Sequence, residues 1–259
     1  ALYYGSYGGE EILKRNLSLS AYAQYYKDFN KIHHFDIMAG YEWQHFWRSK
    51  NNDYVGYYPE TNNDASLAGT ERPHTPYSEK SESYLVSFFG RANYTLMDKY
   101  LFTFTMRADG SSKFGKDNRW GIFPSAALAW RMSDEEFLKG ASSWLSNLKA
   151  RLSFGTAGNN RINSGLLTTT YSMADNTSKA PFFDENRASM LEHGKFLYNP
   201  DLKWETTVTR NFGIDYGFFN GRLSGTLDFY WNTTKDLLMQ SIVPANTGYS
   251  YQFQNFGKT

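Results

Sequence analysis

The sequence predicts an all-β protein whose strands run antiparallel, up and down, in one curved sheet. Three observations carry that expectation: strict alternation of apolar and polar residues, connections that switch between short and long, and aromatics at 18% of the chain. The alternation is clearest between Tyr84 and Trp130. Val86, Phe88, Gly90, Ala92, Tyr94 and Leu96 are interleaved with Ser87, Phe89, Arg91, Asn93 and Thr95. After a tight turn at Met97–Lys99 it resumes, with Tyr100, Phe102, Phe104 and Met106 set against Thr103, Thr105, Arg107 and Asp109. A period of two residues is that of a strand, because successive side chains leave a pleated backbone on opposite faces. One face is greasy and aromatic; the other carries charge.

The same pattern marks about eight segments. The first, near Asn16–Tyr26, sets Leu17, Leu19, Ala21 and Ala23 against Ser18, Ser20 and Gln24. The second, near His34–Trp47, sets Phe35, Ile37, Ala39, Tyr41 and Trp43 against Asp36, Gly40 and Glu42. The third and fourth are the hairpin above. A fifth lies near Phe123–Arg131 and a sixth near Asn147–Gly155, where Leu148, Ala150, Leu152 and Phe154 oppose Lys149, Arg151 and Ser153. The seventh, near Lys203–Phe218, has Val208, Phe212, Ile214 and Tyr216 on one side and Glu205, Thr207, Thr209 and Asp215 on the other; Arg210 interrupts its apolar side. The eighth, near Arg222–Asn232, opposes Leu223, Leu227, Phe229 and Trp231 to Ser224, Thr226 and Asp228, and a ninth begins near Phe253.

Connections at Asp28–Lys31, Met97–Lys99 and Phe219–Gly221 are tight, and Asn220-Gly221 is a hairpin signal. Those at Ser49–Ser81, Gly110–Gly121, Thr156–Asp201 and Thr233–Gln252 are long and polar. The connection near 133–146 reads as a short helix, with Ser133 as N-cap and Glu136 at the capping-box position. Short turns on one rim and long loops on the other are the pattern of a transmembrane β-barrel. Strand length agrees: several segments reach the roughly nine to eleven residues that a bilayer-crossing strand needs, where soluble strands cluster near about five or six. Two other architectures remain open on these residues. One is a stand-alone eight-stranded outer-membrane barrel with a structural or adhesion role. The other is a soluble carbohydrate-binding β-sandwich with its apolar faces packed together.

Composition narrows the function. The 259 residues suffice for one large β domain or two small ones. A net charge of +1, from 27 basic and 26 acidic residues, offers no nucleic-acid partner its usual basic surface. Without cysteine there is no disulfide framework, thiolate metal site or cysteine nucleophile. No apolar run is long enough for a transmembrane helix. The negative mean hydropathy is compatible with a barrel, where only alternate strand residues touch lipid. The opening ALYYGSYGGEEILKRN does not have the form of a signal peptide, so the chain reads as an internal piece of a longer one.

Longer strings carry a resemblance. RADGSSKFGKDNRWGIFPSAALAWRMSDEEF and WLSNLKARLSFGTAGNN, flanked by SFFGRANYTLMDKYLFT and NPDLKWETTVTRNFGIDYGFFNGRLSGTLDFYWNTTKDLL, resemble the SusC/RagA family of TonB-dependent outer-membrane transporters. HHFDIMAGYEWQ resembles the family's preceding barrel hairpin. The resemblance implies that residues 1–259 are a partial receptor β-barrel domain, in the outer membrane of a Gram-negative bacterium, with the plug domain and remaining strands elsewhere. It implies part of the wall and extracellular loops of an importer of oligosaccharides or peptides. It also implies a SusD-like surface lipoprotein, the TonB complex and outer-membrane lipid as partners, and no cofactor.

No catalytic or metal-binding residue is expected. Asp134, Glu135 and Glu136 sit where acids complement a helix start. Ser146 and Lys149 match a Ser-x-x-Lys spacing without its partner motifs. His33 and His34 point to opposite faces, and His45 and His74 add no ligand spacing. Asp109–Asn118 lacks the spacing of a calcium loop. The candidate residues are instead those on the charged side of the strands, facing a lumen: Glu42, Arg91, Arg107, Asp109, Arg131, Arg151, Glu205, Asp215 and Asp228. For contact with ligand at the extracellular loops the candidates are Tyr54, Tyr57, Tyr58, Tyr77 and Tyr171, whose ring faces suit stacking on sugars.

Overall fold

The computed structural model describes residues 6–57, 71–72, 77–163, 166, 171–173, 191–193 and 195–259. They fall into two compact units, with boundaries at Ser18/Leu19, Trp43/Gln44 and Tyr84/Leu85. Among the described residues fourteen strands form. These are β1 (Ser6–Phe29), β2 (His33–Tyr57), the two-residue β3 (Glu71–Arg72), β4 (Tyr77–Leu96), β5 (Tyr100–Ser111), β6 (Trp120–Arg131) and β7 (Leu145–Asn159). There follow β8 (Tyr171–Met173), β9 (Leu191–His193), β10 (Phe196–Leu197), β11 (Glu205–Phe218), β12 (Leu223–Lys235), β13 (Leu238–Ile242) and β14 (Tyr251–Asn255). The main sheet runs β1-β2-β4-β5-β6-β7-β11-β12, with β3 added on β2. Among the described residues no helix is long and apolar enough to cross a membrane.

The tight connections are type I′ in character, the form whose twist matches that of the strands it joins. Asn30 and Lys31, Met97 and Asp98, and Phe219 and Asn220 all have φ between 53° and 58°. Each turn closes with a backbone bond across it: Ile32 to Phe29 at 3.1 Å, Lys99 to Leu96 at 3.0 Å and Gly221 to Phe218 at 3.1 Å. In the third turn the two central residues are Phe219 and Asn220, so Gly221 follows the turn centre at φ 82°.

From β4 to β12 the register preserves the alternation across the sheet. Phe104 lies opposite Ala92 and Ala126, Ala126 opposite Phe154, and Phe154 opposite Arg210. Directly paired residues share a face, so this row is apolar except for Arg210. The next row on the other face is Thr105 with Arg91 and Ser125. The apolar face is open: Phe104 is 51% exposed, Leu152 57% and Phe229 61%.

Three differences from the sequence reading have physical causes. First, β1, β2 and β4 outrun their apolar alternation. In the smaller unit Lys50 pairs with Glu10 at 2.8 Å, Arg15 lies over the Trp47 ring, and His45 stacks on Tyr84 at 4.4 Å. Polar cross-strand pairs extend a strand as well as apolar ones do, but they leave no hydrophobic period to read. Second, the 133–146 connection contains two 3-10 turns, Met132–Asp134 and Glu136–Ala141, and the expected cap does not form. The Ser133 hydroxyl bonds to Asp134 Oδ1 at 3.2 Å instead of a backbone N–H. Third, the strand at Tyr251–Asn255 joins β10 and β13 in a separate three-stranded sheet rather than extending the main one.

The buried core sits at the long-loop end of the larger unit. Phe114, Phe123, Ile162, Leu202 and Trp204 pack together, with Phe114 fully buried. Trp204 donates its indole N–H to the Arg119 carbonyl at 3.0 Å. Asn255 clamps two loop segments at once, donating to the carbonyls of Lys203 and Asp236 at 2.8 Å each. Residues that the sequence presents as polar loop therefore form a packed layer tied to the sheet through Phe123. Removing the Phe114 ring is expected to cost that layer about 3–5 kcal/mol, the usual range for a buried Phe→Ala change. In the full-length protein, Phe114→Ala should raise hydrogen exchange and protease cleavage at residues 112–119 and 196–204. Protection of β5 to β7 should stay unchanged.

Candidate functional site

The charged face of the sheet gathers most of the sequence-selected residues into two networks. In the first, Arg107 on β5 donates Nη2 to Glu42 Oε2 at 2.9 Å and to Ser87 Oγ at 2.8 Å, and Nε to Asp109 Oδ1 at 2.7 Å. Asp109 and Ser87 are buried. The guanidinium carbon also lies 5.8 Å from the centre of the Phe89 ring, a cation–π distance. That ring lies against Gly40, where an added Cβ would come within 2.4 Å of it. The missing side chain at Gly40 is what lets Phe89 lie flat on this otherwise polar face.

The second network crosses three strands. Arg151 on β7 holds Asp215 on β11 in a two-pronged contact, Nη2 to Oδ1 at 2.8 Å and Nε to Oδ2 at 3.0 Å. The same Nη2 reaches Asp228 on β12 at 3.3 Å. Between the outer strands the path passes over Gly213, which pairs with both Arg151 and Asp228. A Cβ there would fall 2.6 Å from Asp228 Oδ1 and 2.8 Å from the guanidinium. Thr226 donates to Asp215 at 3.0 Å and Asn211 to Asp228 at 3.3 Å, so the acids are solvated by protein groups as well as by the cation. Two-pronged guanidinium–carboxylate contacts fix geometry as well as charge.

Glu205 serves a different purpose from these. It accepts from Asn159 at 2.9 Å and from the backbone N–H of Leu238 at 2.9 Å, tying the sheet to the start of β13. Arg91 and Arg131 are exposed and, among the described residues, form no ion pair. The side chains of Tyr54, Tyr57, Tyr77 and Tyr171, and Tyr58 altogether, lie outside the described residues, as does His74.

The arrangement is electrostatic scaffolding, with its acids held by cations and amides. Among the described residues no group of three or more His, Asp or Glu could hold a metal ion. His33 meets the Tyr94 hydroxyl at 2.8 Å and His34 meets Asp28 at 2.7 Å, on separate faces. Ser146 Oγ accepts from the Gly221 N–H at 3.3 Å, and Lys149 lies 4.0 Å from Asp215. The Ser146–Lys149 spacing thus does not assemble a nucleophile and base.

One residue assigned only a capping role proves central to its region. Glu135, in the connection after β6, accepts from the Tyr100 hydroxyl at 2.7 Å, the Trp130 indole at 3.1 Å and the Lys99 ammonium at 3.1 Å. These donors, the Tyr100 hydroxyl foremost, hold its carboxyl below the usual carboxylate range. At the opposite end, burial pushes the Lys113 ammonium down from its ordinary value. Its Nζ lies 3.4 Å from the Asn160 carbonyl.

Comparison with known proteins follows the same outline. A family model described as TonB dependent receptor-like, beta-barrel, matches residues 2–259. The TonB-dependent receptor SusC of Bacteroides thetaiotaomicron is 42% identical over 98% of this chain and 25% of its own length. The TonB-dependent receptor P3 of Formosa agariphila is 33% identical over 97% of this chain and 25% of its own. Among solved structures, the RagAB peptide transporter superposes with a TM-score of 0.78 at 28% identity, covering 96% of this chain and 27% of that one. The RagAB peptide importer in its closed-closed state gives 0.80 at 26% identity, over 98% of this chain and 27% of that one. The chain spans about a quarter of the length of these curated relatives.

Two outcomes are expected from the charged groups. Arg151→Ala leaves two carboxylates facing each other; with these side chains about a third exposed, the loss should be about 1–2 kcal/mol. A double-mutant cycle with Asp215→Ala, read by thermal unfolding of the full-length protein, should return most of it as coupling. For Glu135 the folded pKa lies below the unfolded one. Its contribution is therefore fully present above the unfolded carboxylate pKa of about 4.3 and is lost as pH falls through the folded value. Protection factors for hydrogen exchange at residues 132–144, taken relative to the intrinsic rate at each pH, should fall on acidification below about pH 4, and Glu135→Gln should flatten that dependence.

Proposed function

The chain belongs to the TonB-dependent receptor-like β-barrel family, related to SusC and RagA. From that membership we propose that it supplies part of the outer-membrane wall, and several extracellular loops, of an importer of large nutrients. The apolar face meets lipid and the charged face lines the lumen, where the two arginine networks stiffen the wall beside the plug. The turns at Asn30, Met97 and Phe219 lie on the periplasmic side, and the packed layer around Phe114 lies outside. The cargo is an oligosaccharide or a peptide; a SusD-type lipoprotein caps the importer, and the TonB complex acts on the plug.

The observation that carries this reading is the in-register apolar face from β4 to β12. A sandwich would cover Phe104, Leu152 and Phe229, yet each is more than half exposed. A lipid surface is the solvent in which such a face is stable. Cargo contacts belong to the loops rather than the wall. RagAB, named as a peptide transporter, favours peptides by relation; the tyrosine-rich loop segments favour glycans by chemistry.

Both parts are open to test in the full-length protein. A fluorophore at Phe104→Cys or Leu152→Cys should be quenched by brominated acyl chains, and one at Thr105→Cys or Ser153→Cys by aqueous iodide. The reverse pattern would overturn the lipid assignment. For the cargo, binding of an oligosaccharide and a peptide panel should fall about three- to tenfold on alanine substitution of Tyr54, Tyr57, Tyr58, Tyr77 or Tyr171. Unchanged affinity across all five variants would remove these tyrosines from the site.

A further inference from the structure

Arg210 is a cation on the apolar face. Its cross-strand neighbours are Phe154 and Trp231. Among the described residues its guanidinium makes no hydrogen bond or ion pair. The paired positions on that face of β7, β11 and β12 carry no carboxylate that could reach it. Arg107 and Arg151, by contrast, are each held by two acids on the other face.

Its height on the sheet is marked by its neighbours. Toward the short turns the same face continues as Phe212 with Leu152 and Phe229, then Ile214 with Ala150 and Leu227. Toward the long loops it becomes Val208 with Thr156 and Thr233, then Thr206 with Gly158 and Lys235. Arg210 therefore stands where the greasy band gives way to hydroxyls, beside a tryptophan, as expected of a membrane–water boundary. The cost of a charge falls steeply from the midplane to that boundary, and a long side chain can carry its head into the polar layer. From Arg210 and Trp231 a groove of about 730 Å³ runs across the strands along Arg210's own row, bordered toward the short turns by the next row, Tyr94, Phe102, Leu128 and Leu152. Small residues, Ala92 and Ala126, form its floor, and Phe104 and Phe154 are among its walls.

We propose that Arg210 and this groove bind one phosphate-bearing lipid of the leaflet at the long-loop rim. The phosphate sits on the guanidinium, and an acyl chain lies along the alanine floor. The planar fork of an arginine matches phosphate oxygens in pairs. The groove begins at the guanidinium and opens on its short-turn side onto the apolar row of Phe102, Leu128 and Leu152, which gives the attached chain an apolar bed. The proposal rests on the lipid-facing reading given above.

The test uses the full-length protein in mixed micelles, with retained lipid read by native mass spectrometry. The probes are bisphosphorylated lipid A and its dephosphorylated form. The wild type should retain the phosphorylated lipid about tenfold better than Arg210→Gln, the loss of one strong charge-assisted contact. Both proteins should hold the dephosphorylated lipid equally, and excess inorganic phosphate should displace neither. Arg210→Lys, which keeps the charge without the fork, should fall between them and so separate lost recognition from misfolding. Equal retention by wild type and Arg210→Gln, or ready displacement by inorganic phosphate, would overturn the proposal. The Phe104→Cys quenching experiment separates the two levels. Absence of quenching by brominated lipid defeats the lipid-facing reading itself, while quenching without phosphate selectivity defeats only the site.

Discussion

Register is the constraint on which the rest depends. A strand has a side-chain period of two, so a shift of one residue between any neighbours from β4 to β12 would carry every side chain to the opposite face. Phe104, Phe154 and Phe212 would enter the charged side, and Arg107, Arg151 and Asp215 would enter the greasy one. The type I′ turns pin two of these pairings from the ends. The two-pronged Arg151–Asp215 contact pins another from the middle, because it forms only when Ala150 sits opposite Ile214 and Lys149 opposite Asp215. The apolar face then needs no further specification beyond a solvent that accepts it.

The charged networks are as local as the register allows. Arg107 joins β5 to acids on β2 and β5, and Arg151 joins β7 to acids on β11 and β12. Each leaves its cation between two carboxylates. In a partly exposed setting such a trio gains rigidity more than net stability, since desolvation offsets much of the attraction. Gly40 and Gly213 show that the backbone was shaped to admit these groups: at each, any side chain would displace the ring or the ion pair that now lies over it.

The faces of the strands and the tight turns could be read from the sequence, because both have short-range causes: a two-residue period and backbone preference at positive φ. What could not be read has longer-range causes. The membership of Arg151 and Asp215 on one face follows from alternation, but their contact depends on which strands become neighbours across sixty-four residues. The extensions of β1, β2 and β4 carry polar residues on both sides, with apolar ones in adjacent pairs such as Ile12-Leu13, and so show no period. Phe114 sits among polar residues in SSKFGKDN, and partners from distant segments, Ile162, Leu202 and Trp204, make it a core residue. Glu135 looks like a helix acid, because its donors Tyr100 and Lys99 come from another strand's start.

The chain's connections also imply an order of assembly. The strands β4, β5, β6 and β7 are neighbours both in sequence and in the sheet, and β11 and β12 form a hairpin closed by a tight turn. Each of these groups pairs through short-range closure, which is entropically cheap and fast. Joining β7 to β11 instead spans the long excursion from Asn160 to Trp204. From β4 to β12 the wall is thus two locally templated pieces with one slow seam between them, and Arg151, reaching across that seam to both β11 and β12, is positioned to lock it once it has closed.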